Sequence, residues 1–406
     1  MAALKETIGA VFARDGPSVV SVGMAPLMSR MVRALDHDYS AALTLGAGLL
    51  VALLWSAVDS NSYQRVLNAT WPGHLVGLNQ IDSLHNLAVS GFMTIFFFAI
   101  GLELSRELAS GAFTKPSHAL PPVMGALGGM LGTALLSILA GGLTNTSALR
   151  HGWGVPMATD IAFTLGALAL AGRGLPPTLR LFLLMLAVAD DVFSVVVLAW
   201  TGATHVRAIG LGAIVIVVIA VRWSSRRFHS TPWRLGVLVA LWLCFVAARV
   251  EPPLAGVVAG LVVPFDHSAG LRLEDHVRRW STGLVLPLFA LVSCGLRWSA
   301  LSGHTVTVIV FATIAIRVAG KVVGVTGGVA LARLLGYRLH PSITWPLLAT
   351  SALLCAIGFT VPLLFAGALF QSSSPTYGAF TLGLLLSSLL SGVLGVALLK
   401  LQSRRH

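Results

Sequence analysis

The chain has 406 residues, of which 56% are hydrophobic and 10% charged, and its mean hydropathy is +0.86. Soluble domains carry about 25% charged residues, so a water-soluble globular protein is excluded and soluble domain lengths do not apply. The net charge of +12 does not mark a nucleic-acid binder, because the basic residues fall between apolar segments and not in one patch.

Residues 1–40 lack an apolar run long enough for a signal peptide. They carry Lys5, Arg14, Arg30 and Arg33 and read as a cytoplasmic or interfacial lead-in to a single transmembrane domain over 41–406. Apolar runs then give twelve candidate spans, centred near residues 50, 95, 130, 163, 190, 214, 241, 258, 288, 320, 356 and 390. The eighth, around Leu254–Pro264, is short. After the first span, Asp59–Asp82 holds Asn61, Asn68, Pro72 and Gly73 and suits a small hairpin on the outer face. With the N-terminus inside, the inner loops hold 20 Lys and Arg residues and the outer loops five. That bias predicts an all-α polytopic protein with both termini cytoplasmic.

Polar residues within the spans follow in chain order. Glu103 and Glu107 end the second span beside Arg106, where surface ion pairing explains them as readily as function. Span three carries Gly125, Gly128, Gly129 and Gly132, and span ten carries Gly320, Gly324, Gly327 and Gly328. Each precedes a span interrupted in mid-segment: Pro156 and Asp160 in span four, Gly358, Thr360 and Pro362 in span eleven. Paired interruptions of this kind suggest an inverted repeat around a transport site. Small-residue helix packing explains the glycines alone equally well.

Span five is the most telling. From Leu181 to Trp200 every residue is apolar except Asp190, Asp191 and Ser194. One carboxylate at the bilayer centre costs about 2.5–3.5 kcal/mol on insertion scales, and such residues mark ion pathways by default. Successive helical residues point about 100° apart, so one aspartate faces the ion and the other faces the cavity or a cation. Lys321, in mid-span, is that cation, and snorkelling is disfavoured by the apolar residues flanking it. The three groups should titrate as a coupled unit. Arg317 lies one turn before Lys321 on the same face, where it either shares the lysine's cavity as a second buried cation or serves helix packing or a lipid headgroup, and the residues leave both open. Asp160 suits a partner of Lys321 or an ion ligand, and the residues leave both open. Hard cations such as Na⁺ and Li⁺ want the same oxygens as protons. Competition at one site suffices for exchange, provided the site alternates its access. Cys244, Cys294 and Cys355 lie at unrelated spacings and suggest neither a disulfide framework nor a zinc site.

From about residue 30 onward the chain resembles the NhaA-type sodium/proton antiporters of bacteria. The likeness rests on Phe98-Ala99-Ile100-Gly101-Leu102-Glu103-Leu104-Ser105-Arg106-Glu107-Leu108, Gly152-Trp153, Ala158-Thr159-Asp160-Ile161-Ala162-Phe163 and Ala189-Asp190-Asp191. Leu254-Ala255-Gly256, Leu286-Pro287-Leu288-Phe289-Ala290, Gly320-Lys321 and Gly358-Phe359-Thr360 follow in order. The resemblance implies about twelve transmembrane helices, with inverted repeats and two interrupted helices crossing at the membrane centre. It implies that Asp190 and Asp191 bind the cation and protons, that Thr159 helps coordinate, and that Asp160 and Lys321 balance half-helix dipoles. Glu103 and Glu274 match positions linked to pH response, to which Arg317 is added as a departure. It further implies an electrogenic exchanger of Na⁺ or Li⁺ for H⁺ in the cell inner membrane, serving pH and sodium homeostasis. Homodimers are common in the family, and no cofactor beyond the transported ions is expected. Other departures are Ser90, Ser105, Glu251, Ser293-Cys294 and Val361-Pro362.

Three alternatives compete. A related-fold transporter of another cation or of an organic anion keeps the architecture, though two buried acids suit a cation better than a carboxylate. A channel or receptor would keep the buried charges as structural groups. An enzyme is disfavoured, because no nucleophile–base pair can be named in the sequence.

Overall fold

The computed structural model describes residues 43–70, 81–110, 116–172, 174–201, 207–224, 230–263 and 269–403. The lead-in over 1–40 and the centre of the Asp59–Asp82 segment lie outside these residues. The parts of that segment that are described hold a short helix and an antiparallel bridge between Thr70 and Ser83.

In hydrocarbon every backbone donor and acceptor must be satisfied within the protein, which leaves helices as the economical form for apolar runs. The described residues are nearly all helical. The helices are α1 (Leu43–Val58), α2 (Ser60–Leu67), α3 (Met93–Ser110), α4 (Pro116–Leu143), α5 (Ser147–His151) and α6 (Ile161–Ala171). Then come α7 (Pro177–Thr201), α8 (Ala208–Ser224), α9 (Thr231–Ala248), α10 (Leu254–Val262), α11 (Ala269–Trp280) and α12 (Leu286–Ser293). The last are α13 (His304–Leu334), α14 (Trp345–Leu354), α15 (Thr360–Leu369) and α16 (Pro375–Ser403). Two π-helical turns, Leu87–Phe92 and Ser281–Val285, lead into α3 and α12. Five stretches are long and apolar enough to cross a membrane: Leu84–Arg106, Ala119–Leu143, Pro177–Thr201, His304–Leu334 and Pro375–Ser403. Leu135, Leu139, Ile216, Phe311 and Val323 point outward and exposed. That is the surface of a membrane protein, whose outer solvent is lipid.

α4 and α13 form the central pair, and their glycines set the spacing. A methyl group on Gly128 would strike the Gly324 carbonyl oxygen, and one on Gly324 would strike that of Gly128. Gly327, from the same sequence series, has open space around it. The packing reading therefore accounts for most of this pattern but not all of it.

Two helix pairs are separated by short non-helical stretches. α5 runs into turns over 152–157 and extended backbone over 158–160 before α6 begins. α14 ends at Leu354 and α15 begins at Thr360. Pro156, which has no amide hydrogen to donate, and Gly358 lie in these stretches. The two stretches bond directly to one another: Asp160 N donates to Ile357 O at 2.9 Å, and Thr159 Oγ1 donates to Cys355 O at 2.8 Å. Thr164 Oγ1 adds a bond to Leu354 O at 3.2 Å.

Candidate functional site

The non-helical stretches meet the middle of α7 and α13, and this junction gathers the charged residues. Asp190 is fully buried and held at both carboxylate oxygens. Lys321 Nζ donates to its Oδ1 at 2.9 Å, and the Thr159 backbone N–H donates to its Oδ2 at 2.6 Å. Lys321 is itself 0% exposed, so this is an ion pair removed from water. Removing one partner of such a pair leaves an uncompensated buried charge, so the pair specifies a geometry more than it adds stability.

Asp191, the next residue, is 2% exposed and points elsewhere, as the rotation between helical neighbours requires. Its Oδ1 has no hydrogen-bond partner among the described residues. It lines a cavity of about 110 Å³, together with Thr159, Asp160, Thr360, Glu103, Glu274 and Ser281. Buried polar groups are nearly always bonded, and an orphaned one calls for an explanation.

Asp160 sits at the start of α6 and accepts from Phe163 N at 3.4 Å; Thr360 Oγ1 donates to its other oxygen at 2.9 Å. A carboxylate thus stands at the N-terminal ends of both α6 and α15, where the helix dipoles favour negative charge. Arg317, for which the sequence allowed a cavity shared with Lys321, is fully buried, and neither it nor Lys321 lines this cavity. Its guanidinium bonds the carbonyls of Pro156, Ala158 and Ala356.

Glu103 and Glu274 line the cavity together with Asp191. Arg106 bridges them, at 2.7 Å from Glu274 and 3.8 Å from Glu103. Glu274 belongs to the charged helix α11, outside the apolar spans. Burial pushes its carboxyl up to about 7, outweighing the pull of Arg106. It is therefore largely neutral below that pH and ionised above it. The side chain of Glu107 lies outside the described residues. A second cavity of about 460 Å³ lies toward the far end of α15 and is lined by His85, Glu251, Ser293, Gln371 and Tyr377. The two cavities share no lining residue.

Sequence reasoning found Asp160, Thr159, Asp190, Asp191 and Lys321, and the structure brings all five together. It missed the acceptance of Thr360 by Asp160 and the place of Ser281 in the cavity wall. Thr360 stood within a quoted motif, but nothing in the sequence names its partner.

The sequence profile described as Na⁺/H⁺ antiporter 1 matches residues 32–399. The chain belongs to this family. Relatives agree along nearly the whole length. The chain is 35% identical to a Na⁺/H⁺ antiporter NhaA 1 of Kineococcus radiotolerans, over 95% of this chain and 92% of that protein. It is 37% identical to a Na⁺/H⁺ antiporter NhaA 1 of Magnetococcus marinus, over 93% and 100%. An NhaA of Sodalis glossinidius is 33% identical over 91% and 94%. Among solved structures, the sodium proton antiporter MjNhaP1 of Methanocaldococcus jannaschii superposes with a TM-score of 0.55, covering 95% of this chain and 98% of that one at 16% identity. At that identity the likeness speaks for the fold alone. Within the Na⁺/H⁺ antiporter 1 family, the junction of α7, α13 and the two non-helical stretches is the candidate exchange site.

Proposed function

We propose that this membrane protein is an electrogenic antiporter exchanging Na⁺ or Li⁺ for H⁺, with Asp190 and Asp191 as the shared carrier. Na⁺/H⁺ exchange is the activity of the family to which the chain belongs. The observation that carries the site assignment is the orphaned Oδ1 of Asp191, buried and facing a cavity. A cation in that cavity finds Asp191 Oδ1 and Thr159 Oγ1 as ligands beside the Glu103, Glu274 and Asp160 carboxylates. Oxygen donors of this kind suit a hard monovalent cation, and a proton competes for the same carboxylate. Lys321 holds Asp190 until the cation displaces it, so cation binding and release of the lysine are coupled. Asp160 stays as the counter-charge to the two helix N-termini.

In this reading the chain makes twelve spans in the cell inner membrane, with both termini cytoplasmic and the non-helical stretches interrupting spans four and eleven. The Lys/Arg bias of its loops supports that orientation. The cavity with Glu103 and Glu274 then faces the cytoplasm, and the second cavity faces outward. We extend the reading to a homodimer on the family resemblance alone.

Everted vesicles or proteoliposomes test the activity. Addition of Na⁺ or Li⁺ is expected to dissipate an imposed pH gradient, and failure of both cations to do so would overturn the reading. Two carboxylates can carry more than one proton per cation, so exchange should move net charge. Clamping the potential with valinomycin at fixed K⁺ is expected to change the rate; equal rates under different potentials would count against electrogenic exchange.

Glu274 carries a pH prediction. Above about pH 7 its charge makes the cavity wall more negative and raises the local cation concentration. Glu274→Gln keeps the neutral form at every pH, so half-maximal exchange should shift toward alkaline pH. A pH profile superimposable on that of wild type would remove Glu274 from the pH response.

A further inference from the structure

Arg317 is a fully buried cation. Its hydrogen bonds among the described residues go to backbone carbonyls. Nε and Nη2 reach Ala356 O at 3.1 and 3.0 Å, Nη1 reaches Pro156 O at 3.3 Å, and Nη2 reaches Ala158 O at 3.1 Å. Two of these carbonyls lie between α5 and α6, and the third lies between α14 and α15. In a continuous helix, Pro156 O would accept from Asp160 N, which here donates to Ile357 O. Carbonyls left over at a helix C-terminal end carry partial negative charge. A planar guanidinium spreads five donors over a rigid fork and so spans carbonyls on both stretches, whereas an ammonium's three donors radiate from a single nitrogen. Room for it comes from Gly358, where a Cβ would come within 2.8 Å of Nη2. Asp160 meets the N-terminal ends of the same segments, so the junction has one fixed charge of each sign. Lys321, one turn along α13, bonds Asp190 alone among the described residues.

We infer that Arg317 is a positioning residue that ties the two non-helical stretches together by their carbonyls and supplies their permanent counter-charge, leaving Lys321 free to engage and release Asp190. The inference rests on the proposed exchange site and deepens it. The lysine can change partner or charge during a cycle without leaving the helix ends uncompensated. Thr159, whose backbone holds Asp190, is flanked by two of the clamped stretch's residues, Ala158 and Asp160. Loss of the clamp therefore reaches the cation ligands through the chain.

The test is Na⁺-driven H⁺ movement in proteoliposomes of wild type, Arg317→Lys and Arg317→Met. The readouts are the apparent KM for Na⁺ at a pH alkaline enough that protons no longer compete, and the pH of half-maximal exchange. Loss of groups that orient metal ligands typically costs about 10–100-fold in affinity, so both variants should raise the Na⁺ KM at least about tenfold, with no rescue by lysine. A wild-type KM in Arg317→Lys, or a change confined to the pH midpoint, would mean that the residue acts through its charge alone and would overturn the clamp. Should neither variant fold, structures of the wild-type chain at acidic pH and at alkaline pH with Na⁺ decide the matter. The guanidinium should stay on both stretches in both states, and its release from either one overturns the inference. Failure of wild type to exchange Na⁺ for H⁺ would instead sink the proposed function, so the two failures are distinguishable.

Discussion

Asp191→Asn is expected to bring Na⁺-driven proton movement down to the level of empty vesicles while the protein still inserts and folds. The Asp191 side chain has an oxygen with no protein partner, so the amide loses no strong bond. An amide carries no proton in the working range and supplies no charge to a cation, so the cycle has nothing to exchange. Asp190→Asn should abolish exchange too, but with a second signature. It leaves Lys321 buried without its anion, and breaking one side of such a pair costs about 3–5 kcal/mol. Thermal unfolding in detergent should therefore separate the two variants, with Asp190→Asn clearly less stable and Asp191→Asn close to wild type. Robust Na⁺-driven flux in both single variants would end the assignment of the dyad as carrier.

The second large effect belongs to the α4–α13 contact. Gly324→Ala places a methyl group against the Gly128 carbonyl and 2.8 Å from Gly129 Cα. Both obstacles are backbone, so no rotamer change relieves them, and the helices must move apart. Overpacking of this kind costs about 1–3 kcal/mol, and here it also displaces Lys321, one turn away on the same helix. Gly327→Ala is the matched control, since nothing lies within 4 Å of its added methyl group and alanine is the better helix former. Gly324→Ala should lower the unfolding temperature and the exchange rate, and Gly327→Ala neither. Equal stability of the two variants would show that the contact does not set the helix spacing.

The same pair of glycines shows where sequence reading stops. Both belong to one series at helical spacing, and only the partner helix distinguishes the one that touches from the one that does not. The dyad, Asp160 and Lys321 were legible because a charge in an apolar run is costly and stands out against every neighbour. Thr159 was legible only through the motif around it. The target of Arg317 was not legible, because its partners are carbonyl oxygens, which every residue possesses. The cavity role of Ser281 was hidden for a related reason: a lone serine near a helix end is common, and its value comes from what α3 and α7 bring opposite it. The Lys/Arg distribution speaks for twelve spans, whereas α10, with nine residues, is too short to cross a bilayer by itself.

If the two cavities open to opposite faces of the membrane, as the proposed function has it, they have an electrical consequence. Water-filled vestibules conduct well compared with packed protein, so an applied voltage falls mainly across the thin dry layer between them and not evenly over the full bilayer thickness. In that reading the layer is built from the two non-helical stretches, residues 152–160 and 355–359. One elementary charge moved across the whole voltage gains about 2.3 kcal/mol per 100 mV. A short displacement of the loaded dyad through a focused field captures most of that energy, so the carrier needs little travel to feel the full driving force.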